Sequence, residues 1–123
     1  MAEAYFADAS FWIALSSRRD QFHSRAIAWR RHLVRSQVAL VTTEPVLWQW
    51  MNALADPVMR STAAEGYRRC HRDPRIEVVP FAADMIEAAV RLFEDRRDKG
   101  WSLTDCSSFV VMEEQETRVC ADC

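Results

Sequence analysis

Short apolar runs rich in β-branched and aromatic residues alternate along this chain with longer segments whose apolar positions recur at helical spacing. Ala4–Ala7 is a short apolar run ending at Asp8, and Phe11–Leu15 resumes with helical character, so a buried strand feeds a helix through Asp8-Ala9-Ser10. Asp20 predicts the cap of a second helix reaching to about Arg35, with Phe22, Ala26, Ile27, Trp29 and Leu33 inward and arginines opposite. Val38–Val41 predicts a second buried strand. Thr42-Thr43-Glu44-Pro45 follows as a helix start with proline in the first turn. The helix Pro45–Ala55 carries Val46, Leu47, Trp48, Trp50, Met51 and Leu54, apolar nearly all round, and is expected to be covered on more than one side.

Asp56-Pro57 predicts a further, arginine-rich helix to Arg72, and Arg75–Val79 a third strand closed by Pro80. From Ala82 to about Arg97, Met85, Ile86, Ala89, Val90, Leu92 and Phe93 fall at helical spacing until Asp98-Lys99-Gly100 stops the helix. Ser102 followed three residues later by Asp105 is a capping box that opens an apolar helix to about Gln115. Arg118–Ala121 is the last strand, with Asp122 at its end. Strands alternating with helices imply an α/β fold, a mostly parallel sheet with helices on both faces. Ligands in such folds sit beyond the carboxyl ends of the strands. Asp8 and Asp122 are placed there by strand position, and Asp105 by its helix start.

Length and composition narrow the class. At 123 residues and 50% hydrophobic content, the chain is one globular domain able to bury a core. It has no apolar run approaching the roughly 20 residues of a membrane span and no basic-then-apolar leader, so no membrane contact and a cytoplasmic location are expected. Cys70, Cys106, Cys120 and Cys123 are scattered and read as reduced thiols; with His71 their spacing matches no standard zinc site. Residues 1–75 carry 11 Lys/Arg against 7 Asp/Glu, and residues 76–123 carry 5 against 11. The bases are nearly all arginine, the side chain suited to bidentate phosphate contact. With only Gly66 and Gly100 in the chain, no dinucleotide-binding glycine motif or P-loop can form. No histidine occupies a strand-end or helix-start position, so no nucleophile–histidine arrangement stands out.

The chemistry therefore rests on carboxylates. Brought together at one edge they repel, and each favours protonation unless a cation stands between them. Mg²⁺ or Mn²⁺, hard ions that take oxygen ligands and keep waters, are the natural counter-charge. Such an ion lowers the pKa of a bound water and polarises a phosphate. Three unrelated helix caps or solubilising side chains are the plainer alternative.

Ala7-Asp8-Ala9-Ser10-Phe11-Trp12-Ile13-Ala14-Leu15, Val41-Thr42-Thr43-Glu44-Pro45-Val46-Leu47, Ile76-Glu77-Val78-Val79-Pro80 and Asp98 through Phe109 resemble, in that order, the PIN domain family, most closely its bacterial VapC-like branch. The Ser-Leu-Thr-Asp-Cys-Ser-Ser-Phe block is the most specific part. The resemblance spans residues 1–123 and implies a three-layer α/β/α sandwich, a Mg²⁺- or Mn²⁺-dependent endoribonuclease site, an RNA substrate and, by similarity, a toxin paired with an antitoxin protein. It also implies that Asp8, Asp105 and Asp122 are metal-binding catalytic acids, supported by Ser10 and Thr104.

Two positions depart from the family pattern. The acid expected on the helix after the second strand falls on Gln49, which keeps an oxygen but loses the charge; Glu44, one turn earlier, is the nearest substitute. The chain also stops shortly after Asp122, without the closing aromatic and strand of relatives. These features favour a second reading, a weakened or silent PIN-like module that binds RNA or protein. A phosphatase-like hydrolase is a third reading, and it lacks a phosphate-cradling loop. Trp48, Trp50 and Trp101 are read mainly as core, with an antitoxin groove or a homodimer face as the alternative.

Overall fold

Four short strands pair in parallel in the order β3-β2-β1-β4: Ala4–Phe6 (β1), Ala39–Thr43 (β2), Ile76–Val79 (β3) and Arg118–Val119 (β4). The computed structural model describes residues 4–115 and the backbone of residues 118 and 119. Asp122, with Cys120 and Cys123, lies outside the described residues. Phe6 stands opposite Val41 on one side and Val119 on the other, so β1 is an interior strand. Strand order runs outward from β1 to β3 and then restarts on its other side with β4. That reversal is the switch point at which parallel α/β sheets open a crevice, beside the residue that ends β1.

The helices are Ala9–Ser16 (α1), His23–Ser36 (α2), Glu44–Ala53 (α3), Arg60–Arg72 (α4), Ala83–Asp95 (α5) and Leu103–Gln115 (α6). Right-handed crossovers place the helices of β1-to-β2 and β2-to-β3 on one face, and α5 and α6, which return the chain past β1, on the other. The result is a three-layer α/β/α arrangement. Thr43 caps α3 by accepting from the Val46 N–H at 3.2 Å, with Pro45 inside the first turn. Phe6, Phe11, Leu47 and Val111 are wholly buried between the layers.

Two helix starts are corrected. Asp20 and Asp56 do not cap helices; each accepts from the N–H two residues on, at 2.8 Å from Phe22 and 3.2 Å from Val58, so the helices begin later, at His23 and Arg60. These are local turns that a short side chain makes with its own backbone. Helix α3 is covered on more than one side, by α1, α4 and α6, while Trp48 projects outward at 64% exposure. In α5 only Ala89 is buried, while Ile86, Val90 and Phe93 remain at 48%, 41% and 51% exposure. Helical spacing announces an apolar face without saying whether a layer covers it.

One close approach sets a residue identity. A Cβ on Gly66 would lie 2.5 Å from Cη2 of Trp50. That ring has little room to retreat, because it stacks on Trp12 with centroids 5.6 Å apart and its Nε1 donates to Ser16 Oγ at 3.0 Å. Overpacking costs about 1–3 kcal/mol, and alanine regains up to about 1 kcal/mol of helix propensity. Gly66→Ala is therefore expected to destabilise the protein by about 1 kcal/mol, read as a lowered urea midpoint; an unchanged midpoint would mean that the Trp50 ring moves freely.

The thiols of Cys70 and Cys106 are buried and free. Burial pushes the Cys70 thiol up to about 11, with Asp73 adding to the effect. Since the thiolate is the reactive form, both cysteines are expected to resist iodoacetamide in the native protein and to label in urea, as mapped by peptide mass.

Candidate functional site

Asp8 leaves the sheet where β1 ends. Its backbone is extended, at φ −89° and ψ 179°, and its Oδ1 accepts from the Phe11 N–H at 3.2 Å, so it caps α1. The carboxyl is half-buried. Burial raises its pKa above the ordinary aspartate value, the Phe11 N–H partly offsets that, and the nearby Asp105 carboxylate raises it further. Asp8, at the end of β1, and Asp105, in the first turn of α6, are 97 residues apart in the chain and close enough for one charge to act on the other.

Asp105 stands in the first turn of α6. Its Oδ2 accepts from the Ser102 N–H at 3.0 Å while its own N–H donates to Ser102 Oγ at 3.0 Å, the reciprocal capping box. A helix that leads down into a parallel strand begins at the strands' carboxyl edge, and α6 precedes β4. The two aspartates therefore reach this edge by different routes, one from a strand end and one from a helix start. Asp105 is exposed and Thr104 half-buried; Ser10, in the first turn of α1, is exposed. Among the described residues, no Lys or Arg forms an ion pair with Asp8 or Asp105.

Glu44 has other work. Its carboxylate accepts from Tyr67 Oη at 2.9 and 3.0 Å and from Trp48 Nε1 at 3.1 Å, and lies 2.7 Å from His71 Nε2. This cluster ties α3 to α4, and the bond to Glu44 holds the Tyr67 hydroxyl above its ordinary pKa. Gln49 sits five residues on, about 140° around the helix from Glu44, and is solvent-facing. Its helix packs against both α1 and α6, which carry Asp8 and Asp105. The role of His71 was not legible in the sequence, because its partner lies 27 residues earlier and shares no motif with it.

Asp122, the third expected acid, falls outside the described residues. Among the described residues no group of three His, Cys, Asp or Glu side chains converges, which leaves Asp8 and Asp105 as a candidate pair. A pair suffices for a hard cation of the Mg²⁺ type, which is commonly held by one or two carboxylates and completes its shell with water and substrate oxygens. The donor set, all oxygen with uncompensated negative charge, fits such an ion. The arginines divide by position. Arg75 immediately precedes β3 and Arg72 ends α4, so both lie at the opposite edge, where Arg72 pairs with Glu65 at 2.7 Å and Arg75 with Asp73 at 3.3 Å.

Comparison with known proteins bears on the family and the fold. The family model described as PIN domain matches residues 5–119. No curated protein matches significantly. Among solved structures, VapC20 of Mycobacterium tuberculosis, described as a sarcin–ricin loop cleaving toxin, superposes with a TM-score of 0.78 at 24% identity. The match covers 92% of this chain and 84% of that one.

Proposed function

The chain belongs to the PIN domain family, and from that premise we propose that it is a Mg²⁺- or Mn²⁺-dependent endoribonuclease, the toxin of a toxin–antitoxin pair. The observation that supports this reading is Asp8 at the end of β1 and Asp105 in the first turn of α6, two carboxylates that, among the described residues, no Lys or Arg pairs with. Asp8 and Asp105 would hold the ion, with Asp122 as a third ligand and the hydroxyls of Ser10 and Thr104 in support. When bound, the ion supplies an activated water and charge neutralisation for an RNA phosphodiester. The Phe11 N–H and the Ser102 capping box orient the two carboxylates. Arginines of the first half of the chain other than Arg72 and Arg75 contact the flanking phosphates, which makes binding salt-dependent.

The fold likeness to a sarcin–ricin loop cleaving toxin favours RNA over other phosphodiesters. An antitoxin protein is the partner that silences the site. Among the described residues no helix is long and apolar enough to cross a membrane. The second reading, a weakened or silent module that binds RNA or protein, is favoured by one observation: Glu44 is committed to Tyr67 and His71 and leaves Gln49 without a charged substitute. Incubation of the purified protein with total RNA and Mn²⁺ separates the two. Cleavage that EDTA abolishes supports the nuclease; RNA binding without cleavage at any Mn²⁺ concentration supports the module.

A further inference from the structure

The hydroxyl of Thr42 is wholly buried and spans two chain segments: it donates to the Ala7 carbonyl at 2.9 Å and accepts from Trp12 Nε1 at 3.4 Å. Ala7 immediately precedes Asp8. Its N–H donates to the Val41 carbonyl at 2.9 Å, one residue beyond the last paired position of β1 and β2. The Ala7 carbonyl therefore has a side chain as its partner at the point where the sheet ladder gives out. A buried carbonyl without a partner is costly, and a single hydroxyl here serves both that carbonyl and the buried indole N–H of Trp12.

We propose that Thr42 is a positioning residue for the reaction, its hydroxyl fixing the Ala7–Asp8 peptide and hence where the Asp8 carboxylate stands against Asp105. The inference rests on the metal-site reading above. Two independent contacts converge on the same short segment. The Phe11 N–H holds the Asp8 carboxylate from the helix side, and Thr42 holds the peptide behind it from the sheet side. Valine at position 42 would fill the same space and fit a buried strand equally well, so the requirement at this position is for the hydroxyl.

The test compares Thr42→Val, which keeps the volume and removes the hydroxyl, with Thr42→Ser, which keeps the hydroxyl. Mn²⁺ binding by the folded protein is measured by calorimetry, and amide exchange at Phe11 is measured in the metal-free protein. Outer partners of metal ligands commonly change affinity by 10–100-fold. Thr42→Val is expected to weaken Mn²⁺ binding about tenfold and to speed exchange at Phe11 relative to the β1 amides, with Thr42→Ser within about twofold of wild type. If Thr42→Val does not fold, Thr42→Cys, of similar size with a weak donor, takes its place in the comparison. Asp8→Asn is the control. Unchanged Mn²⁺ binding by Asp8→Asn would overturn the metal-site reading. Loss of binding in Asp8→Asn together with wild-type binding in Thr42→Val would overturn the positioning role alone, and so would unchanged exchange at Phe11.

Discussion

Asp8→Asn is expected to lower RNA cleavage by about a hundredfold or more while raising the thermal stability of the metal-free protein at neutral pH. The activity estimate takes the upper end of what outer partners of metal ligands are worth, since this side chain would touch the ion itself. The stability gain comes from the electrostatics. The folded state holds the Asp8 proton more tightly than the unfolded chain does, first because of burial and then because of Asp105. A carboxyl with a raised folded-state pKa contributes stability that is complete below the ordinary aspartate range and is lost as pH rises through the raised value. At neutral pH the ionised side chain is thus a net burden on the fold. Asparagine removes the charge and remains a good helix cap. Thermal unfolding in EDTA should show the gain at pH 7 and its disappearance in acid below the aspartate range. A loss of stability at pH 7 would mean that the bond to the Phe11 N–H outweighs burial and repulsion together.

Gln49→Glu should act in the opposite sense, tightening Mn²⁺ binding and raising cleavage by at least about tenfold. Affinity for hard cations is tuned by the number of charged oxygen ligands, and a tenfold gain corresponds to about 1.4 kcal/mol. Two charges 4 Å apart near a protein surface interact by about 4 kcal/mol, so a factor of ten requires only part of the available attraction. The native protein has no evident substitute at this position, because Glu44 points its carboxylate into the Tyr67 and His71 cluster. Without metal, the added carboxylate should destabilise the protein by repelling Asp8 and Asp105. A Mn²⁺ titration of RNA cleavage, paired with unfolding in EDTA, measures both signs. If neither moves, the residue 49 side chain faces away from the ion and the low charge of the site has another origin.

Much of the candidate site was legible because its parts obey rules between near neighbours. Ser102 and Asp105 are three residues apart and cap each other reciprocally. Thr43 ahead of Pro45 starts α3, and Asp8 caps α1, as expected of polar residues where strands pass into helices. Other expectations failed for equally local reasons. Asp20 and Asp56 have the composition of helix caps, yet they spend their oxygens on the second residue onward, and the helices wait until His23 and Arg60. The sequence offers no way to choose between these two uses of an aspartate, since both satisfy a backbone N–H within a few residues.

Contacts between distant segments were another matter. The apolar positions of α5 are correctly spaced, but whether Ile86, Val90 and Phe93 are covered depends on what lies across from them. Glu44 looked available until α4 brought Tyr67 and His71 against it, and Thr42, read as part of a helix start, proved to be a strand residue whose hydroxyl meets the Ala7 carbonyl. By itself the sequence determined the alternation of strands and helices and the acids that stand at their junctions, because periodicity and capping act over a few residues. Only the tertiary structure decided how deeply Asp8 is buried beside Asp105 and that Glu44 is engaged elsewhere. Parallel strand order and helix packing are set by the burial of the whole core, which no short stretch of chain encodes.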